Sequence, residues 1–352
     1  MESPKAHRVS PRFNPILGLA TVAVGALLSI NLLAQQPGRW TPPLTPDRHP
    51  DLQGMWVNNT ITPFERPAAF AGRALLTPEE IETFKERAAR LFSGSGDIAQ
   101  GDDLFLTLLS NPAERRAPAG STGDYNQFWM DDGLVFETRT SQVIDPPDGR
   151  LPPLSAEGAR ILAAAQQANR ERPADGPESR LTQERCITFG PAKIGWLHSR
   201  NNSFHQIIQT ADHVVLHSEL IHEARIIPLD GRPRVAAQVR LWDGDSRGRW
   251  EGDTLVIDSV NFSAQTPIRP IRGFLMNAGN MHLTERLTLL DADTLQYEVT
   301  VDDPTTWTRP WTAVTTWTRS REMMFEYGCH EGNAALGHIL SGARDEERRG
   351  TP

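Results

Sequence analysis

The sequence predicts a mainly β protein, an antiparallel barrel or strongly curved, lipocalin-like sheet with two or three peripheral helices. Three observations predict it. Between Val235 and Trp317 apolar and polar residues alternate in short runs, the period of half-buried strands. Gly244, Gly248, Gly252 and the Asp303-Pro304 pair punctuate those runs, as hairpin turns do. The strands after Arg185 number roughly seven or eight, enough for a small barrel around one ligand. A two-sheet sandwich would share the same local pattern.

Taken in order, the chain opens with Lys5, Arg8 and Arg12 ahead of an uncharged run from Pro15 to Ala34. A basic start followed by an apolar stretch reads as an export signal. About 20 apolar residues also suffice to span a bilayer, so residues 1–34 are either a signal peptide or an N-terminal membrane anchor. Both place the rest outside the cytoplasm, periplasmic or secreted, or tied to the inner membrane if residues 15–34 stay uncleaved. No cysteine near residue 34 marks a lipid attachment site.

Residues 35–50 form a Pro-rich leader, and residues 51–345 read as a single β-rich domain. Its first strand lies in DLQGMWVNN, with Met55 and Val57 on one face and Trp56 on the other. Thr77 and Glu80 make a capping box with Pro78 at the first helical position. This predicts a helical insertion near 78–92, with Ile81, Phe84, Ala88 and Leu91 on its apolar stripe. Residues 93–124 read as a loop with a short helix at DLFLTLLS, and residues 125–144 as two strands around Asp131-Asp132-Gly133. Ser155 caps a second insertion near 156–171. A short helix begins near Gly337, and residues 346–352 are a charged tail.

Composition narrows the function. Of 352 residues, 38% are hydrophobic and 23% charged, which allows a packed core and excludes global disorder. The net charge of −8 comes without a basic block, which argues against nucleic acid as a partner. Cys186 and Cys329 are the two cysteines. In an exported chain they read as one disulfide, whose long loop would contribute up to about 5 kcal/mol in the chain-entropy view. Two separate buried thiols are the alternative.

Four stretches carry candidate chemistry. In DHVVLHSELIHEAR, a continuous strand would set His213, Val215, His217, Glu219, Ile221 and Glu223 on one face and His222 on the other. His217 and Glu219 would stand about 6–7 Å apart, a spacing for a base and its orienting carboxylate. A solvent-facing strand explains the same pattern. His213 is about 13 Å from His217 on such a strand, and neither HExxH nor CxxC occurs, so no metal site is expected.

Glu285 falls among Leu283, Leu287 and Leu289, where a carboxylate needs a partner. Burial would raise its pKa and suit it to act as a general acid in a ligand pocket; an ion pair with an arginine, or an outward-facing side of the strand, explains it as well. In YEVTVDDPTTWTRPWT, Tyr297, Trp307 and Trp311 stand near Asp302 and Asp303, suiting a pocket for a flat or greasy molecule or the plug of a barrel end. Trp129 is a further candidate for that pocket. Finally, His330 and Glu331 follow Cys329, so a disulfide would hold His330 rigid. Neither a phosphate-binding glycine loop nor a GxSxG elbow is present.

DLQGMW, VIDPPDGRLPPL, RIIPLDGRP, GDSRGRWEGDTLVI, DPTTWTRPWT and YGCHEGN together resemble a family of exported, largely uncharacterised bacterial proteins. The resemblance covers most of residues 50–345. It implies a place outside the cytoplasm and carries no activity or residue role.

The expectation is an exported enzyme doing cofactor-independent acid–base chemistry, as an isomerase, cyclase, lyase or hydrolase. Its substrate would be a small lipophilic or aromatic molecule inside a β-barrel pocket. Glu219 with His217 or His222 would form the acid–base unit, Asp302, Asp303 and His330 would assist, and Trp129, Tyr297, Trp307, Trp311 and Glu285 would line the cavity. The alternatives are a lipocalin-like carrier and an envelope interaction protein with a filled barrel.

Overall fold

The computed structural model describes residues 40–92, 102–110, 133–190, 202–265, 267–268, 275–276 and 279–350. The chain divides into two units, Met1–Thr41 and Pro42–Pro352, and every element below lies in the second. In chain order these are β1 (Gly54–Val57), α1 (Pro78–Phe92), α2 (Asp102–Ser110), β2 (Val143–Asp145), α3 (Ala156–Glu171), β3 (Phe204–Gln209), β4 (His213–Ser218), β5 (Glu223–Pro228), β6 (Asp245–Glu251), β7 (Thr254–Val260), β8 (Pro267–Ile268), β9 (Leu275–Met276), β10 (His282–Leu289), β11 (Thr294–Asp302), β12 (Trp311–Ser320) and α4 (Ala335–Arg349).

The fold is mainly β. Ten strands form one antiparallel sheet in the order β5-β4-β3-β1-β12-β11-β10-β7-β6, with β2 also pairing with β12. Four helices flank it among the described residues, rather than two or three. In α1 the reciprocal cap is made: the Glu80 amide donates to Thr77 Oγ1 (3.2 Å) and the Thr77 amide to Glu80 Oε2 (2.8 Å). Ser155 caps α3 by accepting from the Gly158 amide (2.9 Å).

One local expectation fails. Residues 133–142 form no strand pair but isolated bridges, Thr60 with Val135 and Leu75 with Arg139. Their backbone pairs with the loop after β1: the amides of Thr140 and Gln142 donate to the carbonyls of Ala74 and Pro63. Residues 125–132 lie outside the described residues.

Among the described residues no ladder of hydrogen bonds closes the sheet. It curls until its edge strands β5 and β6 meet through side chains. Arg225 on β5 donates to Ser246 Oγ on β6 (3.1 Å). Gly248 on β6 faces Leu229 and Ile227, and a Cβ there would stand 2.6 Å from Leu229 Cδ2 and 3.0 Å from Ile227 Cγ2. A side chain there would have to displace the Leu229 methyl group.

The concave face is packed. Trp56, Ile207, Val214, Ile227, Leu255, Ile257, Leu283, Leu287, Val299 and Trp311 are all buried in one core. The convex face of β6, β7 and β10 is ionic, with Arg249 and His282 paired to Asp258 and Arg286 to Glu251. This inside–outside contrast is the alternation seen in the sequence.

Polar groups also stand inside. Glu285 on β10 is fully buried and receives two hydrogen bonds from Arg225, at 2.9 and 2.6 Å, and one from the Tyr297 hydroxyl at 2.8 Å. Burial opposes the charge on Arg225, but the carboxylate of Glu285 more than offsets it, so the guanidinium stays above its ordinary value. Burial, then the Glu285 charge, raises Tyr297 well above the usual phenol range. Glu285 is therefore half of a buried ion pair with Arg225.

Cys186 and Cys329 form a disulfide with Cα atoms 5.9 Å apart, closing 143 residues of chain. Such a bond belongs to an oxidising compartment. Among the described residues no helix is long and apolar enough to cross a membrane, and residues 15–34 lie outside them.

Removing one partner of the interior pair strands a charge in the core. Glu285→Ala should cost about 3–5 kcal/mol in urea unfolding, while Arg225→Met with Glu285→Leu should lose less than either single change. A single-variant loss under about 1 kcal/mol, the range of an exposed pair, would contradict this burial.

Candidate functional site

Strand β4 alternates as expected up to Ser218: His213, Val215 and His217 face outward, and Val214, Leu216 and Ser218 inward. There the strand stops. Glu219 turns into a helical conformation (φ −58°, ψ −49°), and Ile221 and His222 take left-handed ones (φ 59° and 40°). The turn is held by the Glu219 amide donating to the Phe204 carbonyl (3.0 Å) and the His222 amide to the Glu219 carbonyl (2.8 Å). A β-branched residue in this region is a true outlier, and each such residue costs about 1–3 kcal/mol. Glu219 and Ile221 therefore do not continue the face of His217, as an unbroken strand would require.

The turn nevertheless brings Glu219 and His222 beside His217. All three line a groove of about 470 Å³ on the outer side of the sheet, within the range of about 300–1,000 Å³ common for small-molecule sites. Its floor is a cross-strand row, Met55 opposite Gln206 and Gln206 opposite His217. Its roof is the segment Met323–Tyr327, which follows β12 and carries the exposed side chains of Met323 (76%) and Phe325 (74%).

The electrostatics are specific. His217 is partly buried, and burial, then the charge of His222, holds its pKa below the ordinary 6.5. His222 Nδ1 lies 3.0 Å from the Tyr327 carbonyl oxygen. A carbonyl only accepts, so Nδ1 carries the proton and the neutral ring keeps its lone pair on Nε2. Glu219 is 5% exposed. His330 stands nearby, its ring centroid 6.3 Å from that of His222. Among the described residues no group of three or more His, Cys, Asp or Glu side chains is placed to hold a metal ion.

The other candidate residues fall elsewhere. Asp303 is buried as a turn cap, accepting from the amides of Thr305 and Thr306 and from the Thr306 hydroxyl (3.1, 3.3 and 2.5 Å). Asp302 is exposed at the end of β11, opposite His282. Trp307 and Trp311 are core residues, packed edge to face at 6.2 Å. Phe64 meets Trp311 edge-on, and Leu154 bridges to Trp307. Trp129 lies outside the described residues.

Tyr297 does border a cavity, together with Glu285, Arg225, Trp317, His205, Ser218, Leu216 and Glu223. Its volume is about 20 Å³, room for one water rather than for a lipophilic molecule. The hollow expected in the C-terminal half is thus filled at this point, and the groove lies on the opposite face of the sheet. His205 escaped the sequence reading. It stacks on Trp317 (4.3 Å, 12°), as Tyr297 does (4.7 Å, 19°), with Nδ1 3.0 Å from Ser218 Oγ. Its alternation with Phe204 and Gln206 was the available signal. For the roof residues 323–327 no signal existed beyond exposed apolar side chains.

No family model matches the chain, and no curated protein matches it. Among solved structures, the chain is similar to a secretory abundant heat soluble protein from Ramazzottius varieornatus. Identity is 13%, the match covers 33% of this chain and 70% of that one, and the TM-score is 0.22. At that score the likeness carries no argument about this chain's fold or function.

Because His222 is the second cause of the His217 shift, His222→Ala should raise the His217 pKa toward, but not fully to, 6.5, with burial still depressing it. Histidine Cε1–H chemical shifts followed against pH read this directly. A His217 titration unmoved by the substitution would show that the two rings are not electrostatic neighbours.

Proposed function

We propose that this is a periplasmic or secreted protein, of the exported bacterial family its motifs resemble, that binds a small lipophilic or aromatic molecule in the outer groove and transfers a proton on it. One observation carries the reading: His217, Glu219 and His222, from a strand end and a strained turn, converge in a single ligand-sized groove. Strained backbone at such a place points to function more than to stability. His222 Nε2 is the base, since its other nitrogen is occupied by the Tyr327 carbonyl. His217, neutral at pH 7, is a hydrogen-bonding partner for a polar group, and Glu219 is the second proton carrier. Met55, Met323, Met324 and Phe325 supply the apolar wall. Isomerisation, elimination, cyclisation and hydrolysis all share such a step.

The test is a panel of small aromatic and aliphatic ketones, esters and lactones in D₂O at neutral pH. Binding is read by ligand-observed NMR and exchange of activated C–H by deuterium incorporation. Wild type should exchange at least one panel member. His222→Ala should slow that exchange by about 10²–10⁴-fold, and Met323→Ala with Phe325→Ala should weaken binding. If no member binds, or if exchange survives alanine at His217, Glu219 and His222, the proposal fails.

A carrier without chemistry is the second reading. The exposed methionine and phenylalanine of the roof favour it, because pliable apolar side chains suit tolerant binding surfaces. Binding without exchange in wild type would decide for it.

A further inference from the structure

We infer that the Cys186–Cys329 disulfide is a positioning device for His222: it fixes the Tyr327 carbonyl that holds the ring proton on Nδ1. The inference rests on the reading of His222 as the base of the groove.

Three segments meet at this point: the turn Glu219–His222, the loop that carries Cys186, and the chain that follows the roof. Among the described residues six non-glycine positions are left-handed, and three of them, Cys186, Ile221 and His222, belong to this junction. A turn with two successive left-handed side chains does not hold itself in place. It is held from outside. Leu220 and Ile221 are buried against Phe189, and Tyr327 and Cys329 pack on the same small cluster.

The link to the ring runs through hydrogen bonds. The Tyr327 carbonyl accepts from the Cys329 amide at 2.8 Å and from His222 Nδ1 at 3.0 Å. The Cys329 carbonyl in turn accepts from the Asn333 side chain at 3.0 Å. Cys329 is therefore located by its covalent bond to Cys186 on one side and by Asn333 on the other. Once Cys329 is located, the direction of the Tyr327 carbonyl is set. The hydrogen bond made by one imidazole nitrogen decides the state of the other, and a catalytic ring is only as well placed as its supporting partners.

Without the disulfide, the segment from Met323 to Asn333 loses its covalent tether. The Nδ1–H and Nε2–H forms of His222 then compete, and part of the population presents a donor to the groove where the base should be. The protein would thus acquire its base only after oxidation, that is, after export.

The experiment compares wild type with Cys186→Ser/Cys329→Ser, both labelled with ¹⁵N-histidine. The neutral-ring ¹⁵N shifts report the His222 tautomer, and His213, which pairs with Asp212, is the internal control. Wild type should show Nδ1–H at His222. The double variant should show a mixture at His222 and no change at His213. Its exchange rate on the panel should fall several-fold, in proportion to the Nδ1–H population lost.

An unchanged His222 tautomer, with only a lower Tm, overturns the inference and leaves the disulfide as a staple. If the double variant does not fold, the same spectra on folded wild type reduced with TCEP decide the question. The tautomer is read without any bound molecule. A shifted tautomer with no panel member bound defeats the proposed function and not the positioning. Undiminished exchange with an unshifted tautomer does the reverse.

Discussion

The curl of this sheet depends on one buried guanidinium. Arg225 sits on an edge strand, yet its donors reach Ser246 on the opposite edge, Ser259 on β7 and Glu285 on β10, and Glu285 is shared with Tyr297 on β11. Five strands are thereby joined where no backbone ladder exists between the edges. Replacing a core ion pair by well-packed apolar groups is often neutral or stabilising. What the pair supplies here is geometry, because the guanidinium fork satisfies its partners in one arrangement only. Gly248 completes the seam by letting Ile227 and Leu229 lie against β6.

The concave side is filled by the core and this network, and the ligand-sized groove lies on the convex side. An outward sheet face is ordinarily flat and wet. Here the chain after β12 folds back as a roof over the row Met55–Gln206–His217, and the turn after β4 closes one end. The groove is therefore made by irregular segments laid on a regular floor, the usual division of labour between scaffold and function.

Much of the floor was legible from residues alone. Alternation marked β4, β10 and β11, and the capping box at Thr77 and Glu80 and the cap at Ser155 marked α1 and α3. The two cysteines, behind a stretch that reads as an export signal, suggested their bond, and it is present. Glu285 on its apolar face announced a buried partner but not which one, since Arg225 lies 60 residues away in the chain. The turn at Glu219–His222 was not legible, because its first left-handed residue, Ile221, is β-branched and of a type that avoids left-handed backbone. Tertiary contacts with Phe189 and Tyr327 impose it. The roof was hidden for the same reason: its place is set by the disulfide and by packing, not by local pattern.

The cross-link also imposes an order on biogenesis. Cys329 follows Cys186 by 143 residues, and ribosomes add about 5–20 residues per second. The earlier thiol therefore waits on the order of ten seconds for its mate. All eight main-sheet strands from β3 to β12 are made in that interval. The bond can therefore form only after every one of those strands has been synthesised.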